Sequence, residues 1–203
     1  MNDSPTNNQP NAPASSPSDE QLMLAFSQGC AEAFTELFLR YKQPLFGFFR
    51  RRLPDPAQAE ELTQETFLVL LRCGHRYEPR ALFRTYLYAI GFKILRAHRR
   101  KTIFRATFLG VRPQSQEPSV RNSEDANLAI REALGKLGST DREILLLREF
   151  EQLSYSEIAD LLKLPINTVR SRLFRARMAL REILAAPASS SVTAKLTESE
   201  EHA

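Results

Sequence analysis

The residues with the clearest chemistry are cations. Between Lys163 and Arg181 lie Arg170, Arg172, Arg175 and Arg177, with no acid among them. Between Glu78 and Glu117 there is again no acid, and the same span holds Arg80, Arg84, Lys93, Arg96, Arg99, Arg100, Lys101, Arg105 and Arg112. Tyr77, Phe83, Tyr86 and Tyr88 are interleaved with the first of these bases. Arginine and lysine neutralise phosphates, while aromatic faces stack on unpaired bases. Two acid-free basic segments, each on a helical pattern, point to two nucleic-acid contact surfaces. Acids crowd elsewhere, at Asp55, Glu60, Glu61 and Glu65.

Other chemistry finds no residues to carry it. His75, His98 and His202 are not spaced as a metal-ligand set. No HExxH, GxSxG or GxxxxGK[ST] motif occurs, so no catalytic residue, metal or cofactor is expected. Cys30 and Cys73 form no CxxC and are expected to be packed. No apolar run approaches the ~20 residues of a membrane span. The first 20 residues lack the charge and apolar core of a secretory signal, which points to a cytoplasmic protein. With 28 Lys+Arg against 24 Asp+Glu, the net charge of +4 only weakly favours a polyanionic partner.

The elements that must position these groups read as helices. Glu157–Arg177, EIADLLKLPINTVRSRLFRAR, has the pattern of a helix-turn-helix. Ser154 to Glu157 is a capping box, and that helix should end near Leu162. Ile158, Ala159 and Leu162 face inward, as do Val169 and Leu173 on the next helix, Ile166 to Ala185. The outward face then offers Asn167, Thr168, Arg170, Ser171, Arg172 and Arg175, which suit base edges and phosphates in a major groove. The turn position that often holds Gly is Lys163; a left-handed backbone there would cost about 1 kcal/mol. Before this motif, Leu128, Ile130, Leu134 and Leu137 form a stripe. Ser139-Thr140-Asp141 is expected to cap a helix whose core includes Ile144, Leu145 and Leu147.

In the first half, Ser18 with Gln21 predicts a capped helix ended by Gly29. Phe34, Leu37, Phe38 and Tyr41 recur at helical spacing before Pro44, and Leu45, Phe48 and Phe49 continue to the basic run Arg50–Arg52. Asp55 then Pro56 predicts a helix to Cys73, stopped by Gly74. On it, Glu61, Gln64, Glu65 and Leu68 share one face, opposite Leu62, Val69, Leu70 and Cys73. A further helix should run from near Ala81 past Arg96, burying Phe83, Leu87, Ile90 and Ile94.

The spacing therefore predicts an all-α protein: two small helical domains joined by a flexible linker, the second containing the helix-turn-helix. The expected boundaries are a disordered segment over 1–17, a helical domain over 18–104, a linker over 105–126, a second domain over 127–186 and a disordered tail over 187–203.

AEELTQETF (Ala59–Phe67) together with SYSEIADLLKLPINTVRSRLFRAR (Ser154–Arg177) resembles the sigma-70 family of RNA polymerase sigma factors, in the two-domain layout of the extracytoplasmic-function group. The resemblance covers about Asp19 to Leu184. It implies that Glu61, Gln64, Glu65 and Leu68 bind core RNA polymerase. It implies that Tyr77, Arg80, Arg84, Tyr88, Lys93, Arg96 and Arg100 serve the −10 promoter region, where an unstacked base must be captured. For Tyr86 and Tyr88, core packing and base contact both remain open. Asn167, Thr168, Arg170, Ser171, Arg172 and Arg175 would serve the −35 element. The implied partners are core polymerase, promoter DNA and an anti-sigma protein. This chain departs from the family pattern in having Tyr86 before Leu87 for the usual Trp, Lys93 for Asn, Ala97 for Asp and Leu137-Gly138 for Leu-Pro. The rival expectation is a helix-turn-helix regulator that binds duplex DNA without replacing the sigma subunit.

Overall fold

A computed structural model describes residues 16–79, 81–109 and 125–185. All regular structure among them is helical, and the chain divides between residues 113 and 114 into two compact units.

The first unit contains α1 (Asp19–Ser27), α2 (Ala31–Arg50), α3 (Pro56–Cys73), a short 3-10 turn (Gly74–Arg76) and α4 (Phe83–Leu109). Each early start has a local cause. Ser18 Oγ accepts the Gln21 amide at 3.2 Å, and the Ser18 amide donates to Gln21 Oε1 at 2.8 Å, completing the capping box. Asp55 accepts the Ala57 amide at 2.9 Å beside Pro56, whose missing donor costs nothing in a first turn. Gly29, at φ +103°, makes the left-handed turn between α1 and α2. α2 continues through Pro44, which is exposed.

The core is aromatic and aliphatic. Leu37, Leu45, Phe48 and Phe49 of α2 meet Leu62, Phe67 and Leu70 of α3, with Met23 of α1 and Phe83, Leu87 and Leu95 of α4, all buried. The buried hydroxyls of Thr63 and Thr66 donate to the Ala59 and Leu62 carbonyls at 2.7 Å, so α3 buries them already paired.

Several expectations require correction. The buried face of α4 is Phe83, Leu87, Tyr88, Gly91, Phe92 and Leu95; Ile90 and Ile94 are only half-buried. Gly91 is the cause. A Cβ there would lie 3.4 Å from Leu45 Cδ1 and from Phe49 Cζ, so the bare glycine face is where the α2 side chains pack. α4 also runs to Leu109, and α5 begins at Asp125, so the expected linker ends are helical. No Gly or Pro interrupts the pattern between Gly91 and Gly110. The expected disordered ends fall largely on residues 1–15 and 186–203, outside the described residues, as does 110–124. Cys30 is exposed, not packed, because it precedes α2 on its solvent side.

The second unit contains α5 (Asp125–Lys136), α6 (Ser139–Glu149), α7 (Tyr155–Leu162) and α8 (Ile166–Ala185). Ile144, Leu145, Leu146 and Leu147 of α6 pack with Leu153, Ile158, Val169, Leu173 and Ala176. Of the expected α5 stripe, Leu137 is buried, Leu134 half-buried and Ile130 exposed; the Leu128 side chain lies outside the described residues. The expected cap at Ser139-Thr140-Asp141 does not form: the cap position is Gly138, with no side-chain bond. Asp141 instead pairs with Arg172, and Arg142 reaches back to the carbonyls of Leu134, Gly135 and Leu137 at 2.6, 2.7 and 3.2 Å. Those bonds satisfy the carbonyls at the end of α5.

Two glycine substitutions test this packing. At Gly74 a Cβ would fall 2.3 Å from Phe26 Cε1 and 3.2 Å from Met23 Cε, so Gly74→Ala should destabilise by about 1–3 kcal/mol. At Gly135 a Cβ meets nothing within 4 Å, so Gly135→Ala should stabilise by about 0.5–1 kcal/mol. Urea midpoints check both, and a wild-type midpoint for Gly74→Ala contradicts the contact with Phe26.

Candidate functional site

In the second unit, α7 and α8 form the helix-turn-helix. The capping box is complete: the Glu157 amide donates to Ser154 Oγ at 3.3 Å, and the Ser154 amide to Glu157 Oε2 at 2.7 Å. α7 ends at Lys163, whose backbone is left-handed at φ 57°, and the Leu164 amide then donates to the Ala159 carbonyl at 3.0 Å. That bond resembles a glycine-type helix stop. The turn delivers Pro165, whose carbonyl accepts the Thr168 amide at 2.9 Å and starts α8.

α8 then sorts its side chains. Val169, Leu173 and Ala176 are buried. Asn167, Arg170, Ser171 and Arg175 are exposed, and Thr168 is half-buried. Ser171 Oγ donates to the Thr168 carbonyl at 3.1 Å. Arg172 is not on this outward face, which corrects the expectation. Its Nη1 donates to Asp141 Oδ1 at 2.8 Å, so its charge joins α8 to α6. Arg177 is likewise held by Glu149 at 2.6 Å, and that hydrogen bond raises its already high pKa. Phe174 was missed. Its ring is 65% exposed, three residues after Ser171 and four after Arg170. The same helical spacing that placed the arginines places it, but an aromatic residue reads as core from sequence.

On α4, Lys93, Arg96 and Arg100 are exposed on the side away from the core. Arg84 is half-buried, and its charge acts on the Tyr41 hydroxyl; Arg80 lies outside the described residues. The two tyrosines need correction. Tyr88 is 4% exposed and packs on Phe48 at 5.4 Å. Tyr77 is 7% exposed, lies against Tyr86 at 5.2 Å and Phe83 at 6.4 Å, and directs its hydroxyl to the Ala81 carbonyl at 3.4 Å. Neither ring offers a face to a base. Tyr86 is half-buried, and desolvation raises its pKa and that of Tyr77. The exposed apolar side chains of this region are instead Leu82 before α4 and Ile103, Phe104 and Phe108 near its end, the last two with ring centroids 4.3 Å apart.

On α3, Glu61, Gln64, Glu65 and Leu68 are all exposed, and Leu71 extends the face. Leu62 and Leu70 are buried opposite them, and Val69 and Cys73 are half-buried. Beside Gln64 and Glu60, a groove of about 390 Å³ opens between α2 and α3, walled by Phe38, Phe46 and Phe67. No group of His, Cys, Asp and Glu able to hold a metal occurs among the described residues. No helix among them is long and apolar enough to cross a membrane.

Comparison with known proteins agrees with this layout. Residues 37–102 match sigma-70 region 2, and residues 127–180 match sigma-70 region 4. A probable RNA polymerase sigma-C factor of Mycobacterium bovis is 34% identical over 163 residues, covering 78% of this chain and 87% of its own. The RNA polymerase sigma factor CarQ of Myxococcus xanthus is 32% identical over 174 residues, covering 80% and 95%. Among solved structures, the sigma factor RpoE of Bartonella quintana, in complex with the anti-sigma factor NepR, superimposes with a TM-score of 0.64 at 25% identity, covering 76% of this chain and 98% of that one. The chain belongs to the sigma-70 family, in its extracytoplasmic-function group, and its function is that of a sigma factor in transcription initiation.

Arg172 and Arg175 are separable in role. Arg172→Ala should lower the stability of the second unit by about 0.5–1 kcal/mol, whereas Arg175→Ala should leave it within error. Thermal denaturation of both variants checks this; equal melting points contradict the structural role of Arg172.

Proposed function

We propose that the chain binds core RNA polymerase through α3 and promoter DNA through α4 and α8. The observation that carries this reading is the segregation of exposed charge by helix: acid with Leu68 and Leu71 on α3, cations on α4 and α8. Glu61, Gln64, Glu65 and Leu68 make a face suited to a basic protein partner and repellent to DNA. Leu71 and the aromatic groove beside Gln64 would add apolar contact.

α8 is assigned to the −35 major groove. Asn167, Arg170, Ser171 and Arg175 supply donors near a helix N-terminus, and Phe174 supplies an apolar contact suited to a thymine methyl. Thr168 sits at the edge of this set. Lys93, Arg96 and Arg100 are assigned to −10 phosphates, and Arg84 to the same region from a half-buried site. A base drawn from the stack would be received at the 77–82 loop, where Leu82 is exposed. Tyr77 and Tyr88 act there as packing for the loop and helix. Strand opening is driven by capture of unstacked bases, so the protein works without catalysis of its own.

We place the protein in the cytoplasm with its polymerase. An anti-sigma protein is a further partner by analogy with the Bartonella quintana factor, which is held by NepR.

Run-off transcription with core polymerase tests the whole reading. Promoter-specific transcripts should appear only when the protein is added. Tight duplex binding by the protein alone, with no stimulated transcription, sinks it. The division of labour has its own test. Glu61→Lys with Glu65→Lys should weaken polymerase binding at least tenfold and leave −35 duplex binding intact. Arg170→Ala should make the salt dependence of −35 binding shallower by ~0.9 in log–log slope, the value for one phosphate contact. An unchanged slope removes Arg170 from the phosphate contacts.

A further inference from the structure

α4 has a remote partner at its start. Leu82, the residue before it, has only an aliphatic side chain, and the first turn contains no acid. The acceptor comes from 63 residues earlier in the chain: Glu20 Oε1 accepts the Phe83 amide at 2.9 Å. A carboxylate there meets both needs of a helix N-terminus, an acceptor for an orphan amide and a negative charge at the positive end of the dipole.

Glu20 is itself held firmly. It lies in the first turn of α1, fixed at its start by the Ser18 capping box. Its neighbour Asp19 faces α2, accepting the Tyr41 hydroxyl at 2.5 Å and Arg40 Nη1 at 2.8 Å. The Tyr41 ring meets the Phe83 ring edge-on at 5.2 Å. Asp19, Tyr41, Phe83 and Glu20 thus close a circuit that pins α1 to both α2 and α4. The Tyr41 hydroxyl is pushed well above its usual range, mainly by burial and then by its bond to Asp19, so it remains a donor.

The circuit lies beneath the entry to α4. Tyr77 is buried, with its hydroxyl toward the Ala81 carbonyl. The negative charge of Glu20 also reaches Tyr77. Leu82 points outward between these two anchors, 51% exposed.

We propose that Glu20 is a positioning residue for promoter opening: by capping α4 from α1, it fixes the first turn of α4 and the exposed Leu82 before it, where the unstacked −10 base is received. The proposal rests on the assignment of α4 to the −10 region. Glu20 touches no DNA. It acts through the Phe83 amide, and its loss lets the first turn of α4 fray.

The test uses full-length Glu20→Ala and Glu20→Gln with core polymerase on a promoter served by the wild type. Glu20→Ala should open the −10 region about fivefold less, by permanganate reactivity of unpaired thymines, in line with the loss of a helix cap. Glu20→Gln retains an oxygen acceptor and should recover most of that loss. Affinity for core polymerase and −35 binding should stay within twofold for both. Amide exchange of the free protein should rise at residues 83–86 in Glu20→Ala. Wild-type opening by Glu20→Ala overturns the proposal, and so does an equal loss of polymerase affinity, which would mark a general structural role. If the wild type opens no promoter, the −10 assignment fails instead. The exchange comparison still decides whether Glu20 holds the start of α4, since unchanged exchange at 83–86 overturns that by itself.

Discussion

The packing of Phe49 and Leu45 against the bare face of Gly91 sets the rotation of α4, and most of the first unit follows from that rotation. An α-helix turns about 100° per residue. With Gly91 as origin, Leu87 and Leu95 lie about 40° to either side. Lys93, Arg96 and Arg100 lie about 140–200° away. The cations therefore sit diametrically opposite the core, with no need for any local device to expose them. A methyl group at residue 91 would just touch Leu45 and Phe49 at 3.4 Å, and a larger side chain would have to displace them or rotate α4 and swing the cationic face with it.

That rotation also explains what could and could not be seen in the sequence. Capping boxes at Ser18 and Ser154, the Asp55-Pro56 start and the helix-turn-helix turn are settled within a few residues, and the structure has them where the residues put them. The exposed face of α3 was legible too, because Ala59, Leu62 and Phe67 bury the other side. The α4 stripe was not. Ile90 and Ile94 are more apolar than Gly91 and Tyr88, and only the rings arriving from α2 decide that glycine and tyrosine go inward. Tyr77 followed for the same reason, since its partners Tyr86 and Phe83 lie beyond the loop. A cap supplied across 63 residues, as at Phe83, leaves no trace in local pattern.

The second unit shows the same limit in its charges. Lys163 adopts the left-handed turn at a cost of about 1 kcal/mol, outweighed by burial of Ile158, Val169 and Leu173 around it. Asp141 looked like a cap for α6 and Arg172 like a DNA contact. Each forgoes that local role because α6 and α8 pack side by side and bring the two together. Arg142 donates to carbonyls at the end of α5 and so ties that end to the start of α6, without replacing the missing acceptor at the α6 amides.

Basic residues are therefore a poor count of polyanion contacts. Arg50 donates to the carbonyls of Leu53 and Pro54 in the loop after α2, and Arg52 donates to that of Phe48 in the last turn of α2 while lying 3.9 Å over its ring. Arg40, Arg142, Arg172 and Arg177 hold helices to one another or to their own termini. The exposed residues with no such internal bond described include Lys93, Arg96, Arg100, Lys101 and Arg105 on α4 and Arg170, Arg175 and Arg181 on α8. A chain with net charge +4 can still present strong local fields, because a few unshielded cations on one face act together within a Debye length of about 8 Å. Among the acids that lower the total, Glu60, Glu61 and Glu65 lie on α3, where they would repel the same DNA. Under the proposed assignment, segregation by helix face, set by core packing, would let one small protein meet a protein partner and a polyanion through different surfaces.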